Sequence, residues 1–116
     1  MGYTVMTGID LTEALPWALA AFFLLGGIVN WIAPARIRKD YERWRYPGWF
    51  HYVTGGLEII AAILFIFPQT RIAGSILAIA IMGGAFATLI FHREYKHALL
   101  PALVLFLALV CGWSAT

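Results

Sequence analysis

The side chain with the clearest chemical potential is a carboxylate inside an apolar stretch. Glu58 lies ten residues from either end of the segment Gly48–Pro68, which is about one bilayer long as a helix. An ionised carboxylate at that depth costs a few kcal/mol, so it must be neutral, paired or beside a wet cavity. Glu58 is therefore the first functional candidate. The alternative is a protonated, structural glutamate bonded to Asn30, Thr54 or Thr88.

The other polar residues of the apolar segments follow helical spacing. His51, Thr54 and Glu58 recur at three- and four-residue intervals and share one helix face, and Thr88 and His92 are four residues apart. No tight ligand spacing predicts a metal site, and no nucleophile or cofactor motif predicts a catalytic residue. The candidate binding residues are Glu58, Asn30, His51, Thr54, Thr88 and His92.

Each of these residues also has a structural interpretation. His51 and His92 are close enough to the predicted membrane boundary to be ordinary headgroup-level residues. Asn30 and Thr88 are residue types that form hydrogen bonds between transmembrane helices. Only the mid-membrane carboxylate favours function by its position alone.

Composition indicates which elements carry these residues. The chain is 62% hydrophobic and only 12% charged, with a mean hydropathy of +0.82, so its solvent is lipid. Since a backbone in lipid must satisfy its own hydrogen bonds, each apolar segment is predicted to be a helix. The prediction is one all-α membrane domain, residues 1–116, with four transmembrane helices at about 14–33, 48–67, 72–91 and 98–113.

The start of the first span is also predicted. No Lys or Arg precedes it, so we interpret it as a permanent span and not a cleaved signal peptide. Asp10 to Glu13 fit a capping box at its beginning.

The basic residues predict orientation. Five lie between the first two spans and two, Arg93 and Lys96, between the last two, which leaves only Arg71 at the other end. The positive-inside rule makes the first end cytoplasmic, and short loops make the spans an antiparallel up-down bundle with both termini outside. The five cations also face lipid headgroups, although orienting the chain is the simpler explanation; they are Arg36, Arg38, Lys39, Arg43 and Arg45.

With this topology the polar residues form a crevice that opens to the cytoplasm and narrows towards Glu58. The fourth span carries almost no polar residue and is predicted to meet lipid, other membrane subunits or a second copy of the chain. A net charge of +2 gives no indication of nucleic-acid binding. Cys111 has no second cysteine to pair with and is predicted to serve packing.

Three glycine pairs fall at one depth, about seven residues from the cytoplasmic end of their spans. They are Gly26–Gly27, Gly55–Gly56 and Gly83–Gly84. Small residues allow transmembrane backbones to approach closely, so we predict a belt of tight packing among the first three spans. A gap that admits a ligand is the alternative.

Three short stretches resemble a known family. They are Trp44 to Phe50 (WRYPGWF), Thr54 to Ile59 (TGGLEI) and the turn from Pro68 to Arg71 (PQTR). Their order and spacing resemble the DoxX-like family of small four-helix bacterial membrane proteins, over roughly Phe23 to Leu109. The resemblance implies a bacterial cytoplasmic membrane location and makes Thr54, Gly55 and Glu58 a family element.

The resemblance also implies a redox connection, because the family takes its name from a membrane subunit of a thiosulfate:quinone oxidoreductase. The preferred hypothesis is a non-catalytic subunit or accessory of a redox-linked membrane complex, with a crevice for a quinone or a lipid headgroup. The alternative is a small proton-coupled transporter that uses Glu58. A third hypothesis, an enzyme with Glu58 and a histidine as acid and base, has no supporting motif.

Overall fold

Helices make up most of residues 11–116, the part of the chain that the computed structural model describes, and no strand occurs there. The described part is therefore all-α, as predicted. The tail before Leu11, and with it the Asp10 half of the predicted capping box, lies outside the described residues. The elements are α1 (Leu11–Ile32), α2 (Ala35–Arg43), α3 (Phe50–Ile66), a 3₁₀ turn (Pro68–Thr70), α4 (Arg71–Phe91) and α5 (Leu99–Ala115).

Two stretches of the described chain are long and apolar enough to cross a membrane. They are Glu13–Ile32 and Pro68–Phe91, with mean hydropathies of 1.8 and 2.1. Helices α3 and α5 are equally apolar in character but have 17 residues each. Helix α3 begins later than the predicted second span because Pro47 to Trp49 form a turn and not a helix.

Neighbouring apolar helices run antiparallel. Phe23 of α1 stacks on Phe65 of α3, and Asn30, seven residues later in α1, contacts His51, fourteen residues earlier in α3. The same reversal relates α4 to α5, where Ser75 lies against Gly112. The chain therefore turns back at each end of the bundle, and its core is formed by small and aromatic side chains such as Phe23 and Phe65.

Helix α2 is an element that sequence reasoning missed, since the basic segment was interpreted as a loop. Ile37 and Tyr41 of α2 and its C-cap residue Trp44 recur at i, i+4 and i+7, which gives the helix one less polar face. The carbonyl of Pro34 accepts the first hydrogen bonds of α2. The helix ends in a Schellman motif, in which Arg45 takes a left-handed conformation with φ 64.

The glycine belt exists only between two of the three predicted helices. A Cβ on Gly55 would lie 2.7 Å from the Gly27 carbonyl oxygen, so the backbones of α1 and α3 are in direct contact there. On α4, in contrast, nothing lies within 4 Å of the Cβ position of Gly84, and the nearest atom to that of Gly83 is a side-chain carbon at 3.9 Å. The prediction of tight packing at Gly83–Gly84 is therefore wrong, because α4 diverges from α3 at this depth.

Candidate functional site

The divergence of α4 opens a cavity of about 420 Å³ between α2, α3 and α4, with the end of α1 as its fourth wall. Most of its lining is apolar or aromatic, and none of it comes from α5. A cavity of this size and character, with a few convergent polar groups, is typical of small-molecule sites. Four of the six predicted binding residues line it: Glu58, Asn30, Thr54 and Thr88.

Glu58 lies at the middle of α3, eight residues from each end, and only 3% of its surface is exposed. Its Oε1 accepts a hydrogen bond of 2.5 Å from the side-chain amide of Asn30. Its Oε2 lies 2.8 Å from the position that a Cβ on Gly26 would occupy, so the missing side chain of Gly26 leaves room for the carboxyl group. The site depends on this glycine as much as on the two polar residues.

Asn30 connects Glu58 to the surface helix. Its amide nitrogen also donates to the Gly26 carbonyl oxygen at 3.1 Å, and its amide oxygen accepts from the Tyr41 hydroxyl at 3.0 Å. These contacts fix the orientation of the amide, so its donor points at Glu58. Burial raises the pKa of the Tyr41 phenol, which keeps this hydroxyl protonated and able to donate.

The two threonines line the cavity closer to α2 and the segment after it than Glu58 does. Thr54 donates to the Phe50 carbonyl oxygen at 3.3 Å, one turn back on its own helix. The Thr88 hydroxyl donates to the Gly84 carbonyl oxygen at 2.8 Å and lies 2.6 Å from the Tyr46 hydroxyl, so it links α4 to the segment after α2.

Both predicted histidines lie outside the cavity lining. His51 is buried, and its Nδ1 is 3.0 Å from the Asn30 carbonyl oxygen. His92 Nδ1 is 2.8 Å from the Thr88 carbonyl oxygen. Each histidine therefore contacts the backbone of a lining residue, and the structure gives it a place beside the site and not in it.

The five cations of the predicted headgroup surface divide into two groups. Arg43 forms ion pairs with Asp40 at 2.8 Å and with Glu94 at 2.7 Å. The others are exposed and have no carboxylate within 4 Å among residues 11–116; they are Arg36, Arg38, Lys39 and Arg45.

Glu94 follows the end of α4 and holds it against Trp44, at the α2 end of the cavity, which we call its mouth. It accepts a hydrogen bond of 2.7 Å from the Trp44 indole and two from the Arg43 guanidinium, and we call these three residues the Glu94 clamp. The indole hydrogen bond and the neighbouring guanidinium hold the pKa of Glu94 below its ordinary value of 4.5. Sequence reasoning treated Glu94 as part of a solvated loop and missed this role.

Sequence reasoning also missed the aromatic part of the lining. Tyr41, Trp44, Tyr46 and Phe50 all line the cavity, and the rings of Tyr46 and Phe50 stack with centroids 4.4 Å apart. The signal was present in the helical spacing of Tyr41 and Trp44 within the basic segment, but it becomes evident only once α2 is recognised as a helix.

Other polar groups of the described chain do not form a second site. Within residues 11–116 no three His, Cys, Asp or Glu side chains lie close enough together to hold a metal ion. Cys111 is buried in the core beside α4. Arg71 is also buried, and it donates to the Phe65 and Ile66 carbonyl oxygens and pairs with Glu13 at 3.0 Å, which fixes the turn between α3 and α4.

Comparison with known proteins gives the chain a family. The model of the DoxX-like family matches residues 14–111. The uncharacterized protein YdgD of Bacillus subtilis (strain 168) is 31% identical over 101 residues, which cover 81% of this chain and 82% of that protein. No solved structure matches. The family match spans α1 to α5, the cavity and Glu58, and the chain therefore belongs to the DoxX-like family.

Proposed function

We propose that the protein is an integral membrane four-helix bundle of the bacterial cytoplasmic membrane, with α1, α3, α4 and α5 as spans and both termini outside. The two long apolar helices and the family membership indicate a membrane protein. Helices α3 and α5 extend for about 25 Å at 1.5 Å per residue, slightly less than a typical hydrocarbon core. The exposed cations of α2 support placing that helix at the cytoplasmic surface.

The proposed function is to bind a lipophilic molecule as a non-catalytic subunit or accessory of a membrane complex. One observation carries this proposal: a 420 Å³ cavity, largely apolar, has the buried carboxyl group of Glu58 in its lining. Apolar walls provide affinity, and the few polar groups orient the ligand. A quinone is the ligand that the redox association of the family suggests, and a lipid headgroup is the second.

Native purification tests the accessory role. The protein extracted in mild detergent should carry partner proteins and a lipophilic molecule that native mass spectrometry detects. Recovery of this chain alone, with neither, would contradict the proposal.

A pair of variants locates the ligand. Gly84 lines the cavity and has open space at its Cβ position, whereas Ala87 is exposed on the same helix and is not in the lining. Gly84→Leu should fill part of the cavity and reduce the bound molecule, while Ala87→Leu should retain it. Equal retention in both variants would place the ligand elsewhere.

A proton-coupled carrier is the second candidate function. Glu58 favours it because this carboxyl group lines the cavity and has no ion-pair partner within the described chain. Proton-driven flux in proteoliposomes, compared between the wild type and Glu58→Gln, separates the two functions. Absence of flux from the wild type would exclude the carrier.

A further inference from the structure

The charges around the cavity are one-sided. Its lining contains two carboxyl groups, Glu58 and Asp40, and no Lys, Arg or His. Asp40 is paired with Arg43 at 2.8 Å. Glu58 receives its hydrogen bond from a neutral amide, and no cationic side chain of residues 11–116 lies within 4 Å of it.

This arrangement selects among ligands by charge. A buried carboxylate is costly unless a cation accompanies it. The described residues do not supply that cation, so a positively charged ligand would complete the pair. A phosphate or carboxylate headgroup would instead meet the unpaired carboxyl group of Glu58 and no basic residue in the lining, and like charges at short range repel.

The aromatic lining favours the same class of ligand. Tyr41, Trp44, Tyr46 and Phe50 all line the cavity, and aromatic rings attract organic cations through their electron-rich faces. Tyr41 is also linked to Glu58 through a single residue, Asn30, by hydrogen bonds of 3.0 and 2.5 Å. An aromatic ring and a carboxyl group are therefore available at the inner end of the cavity, with further rings towards its mouth.

We infer that the cavity binds a lipophilic organic cation, an amine or quaternary ammonium with an apolar body, whose charged nitrogen pairs with Glu58. This inference rests on the proposed function as a lipophile-binding protein and adds the charge of the ligand. A neutral ligand, such as a quinone, is the outcome against which the inference is tested.

The test uses two probes that differ only in charge. One is a (4-phenylbutyl)trimethylammonium salt, whose charge is fixed at every pH, and the other is its carbon isostere, in which a tert-butyl group replaces trimethylammonium. Binding is measured by equilibrium dialysis of labelled probes against protein in lipid nanodiscs, with empty nanodiscs to correct for partitioning. The cation should bind the wild type more than about tenfold more tightly than its isostere, as expected for a buried charge pair.

Two glutamate variants separate the site from general charge effects. Glu58→Gln should remove most of the preference for the cation and leave the isostere unchanged within about twofold. Glu42→Gln removes the same charge from an exposed position on α2 that does not line the cavity, and it should keep the preference. The wild-type comparison of the two probes stands without either variant, so a Glu58→Gln protein that failed to fold would not remove the test.

The outcomes distinguish this inference from the proposed function. If the wild type binds the isostere or a short-chain quinone as tightly as the cation, the inference is wrong and the lipophile-binding function stands. If neither probe and no short-chain quinone binds the wild type above the empty-nanodisc level, the lipophile-binding function fails as well. A cation preference that survives Glu58→Gln would also overturn the inference, because the charge would then act elsewhere.

Discussion

The contact between α1 and α3 can be broken by a single methyl group. In Gly55→Ala the new Cβ would lie 2.7 Å from the Gly27 carbonyl oxygen and 2.8 Å from the Trp31 backbone nitrogen. Ordinary contact begins at 3.4 Å, so the two helices would have to separate by about 0.7 Å (3.4 minus 2.7). Both obstructing atoms belong to backbone, and no rotamer change can relieve the clash.

The expected loss of stability follows from two opposed effects. Overpacking of a well-packed contact costs about 1–3 kcal/mol. Replacing glycine by alanine inside a helix returns about 1 kcal/mol. The net expectation is therefore a loss of up to about 2 kcal/mol, and the separation of α1 from α3 should also weaken the Asn30–Glu58 hydrogen bond.

Thermal unfolding in lipid nanodiscs, followed by tryptophan fluorescence, measures this loss. The matched control is Gly56→Ala, the next residue of the same helix, where the nearest atom to the new Cβ is the Trp31 ring at an ordinary 3.8 Å. Gly56→Ala should be neutral or slightly more stable. If Gly55→Ala unfolds at the same temperature as Gly56→Ala, the helices are not held by the contact described here.

Three further predictions concern polar residues. The Glu58→Leu variant should fold, and its unfolding temperature should equal or exceed that of the wild type. Replacing a buried ionisable group by an apolar one is often neutral or stabilising, and Asn30 keeps its hydrogen bond to a backbone carbonyl. Loss of membrane insertion would instead identify Glu58 as a structural hub. The lowered pKa of Glu94 means that its contribution to stability is present above about pH 4.5, the ordinary value, and is lost as pH falls through the lower folded value. The stability advantage of the wild type over Glu94→Gln should therefore shrink in acid, and an advantage that is constant with pH would contradict the clamp with Trp44. Arg71→Met should lower the unfolding temperature, because two carbonyl groups lose their charged donor, and a buried group left unsatisfied costs about 1–3 kcal/mol. An unchanged unfolding temperature would show that the turn before α4 does not need the arginine.

The deep part of the site could be predicted from the sequence. A carboxyl group in the middle of an apolar helix is costly enough to need a partner, and Asn30 was one of the few polar residues placed near it by helix length and topology. The prediction linked Glu58 to Asn30, Thr54 and Thr88. In the structure all four line one cavity, and only Asn30 bonds Glu58 directly.

The mouth of the site could not be predicted in the same way. Helix α2 is short and highly charged, so its composition resembles a solvated loop. Arg45 terminates α2 and Arg93 terminates α4, and both arginines take a left-handed conformation, with φ of 64° and 59°. Glycine is the usual residue at such positions, and an arginine there gives no signal of the Schellman motif that places Tyr46 in the cavity lining and Glu94 against Trp44.

The glycine pairs show why spacing alone was insufficient for packing. All three pairs fall at one predicted depth, but contact requires that the glycines of two helices also face each other. Gly27 and Gly55 do so, whereas Gly84 faces the cavity. The whole interface between two helices sets the rotation of each helix about its axis. The local sequence around a glycine pair therefore does not predict which way the pair faces.

The contacts of the cavity also imply an order of assembly during synthesis. Asn30 and Glu58 are 28 residues apart, so the inner end of the cavity can form as soon as α3 has been synthesised and packs against α1. The Glu94 clamp joins residues 50 or more positions apart and cannot close until α4 is complete. Since α5 contributes nothing to the lining, a nascent chain that has not yet delivered its last helix already possesses every residue of the cavity.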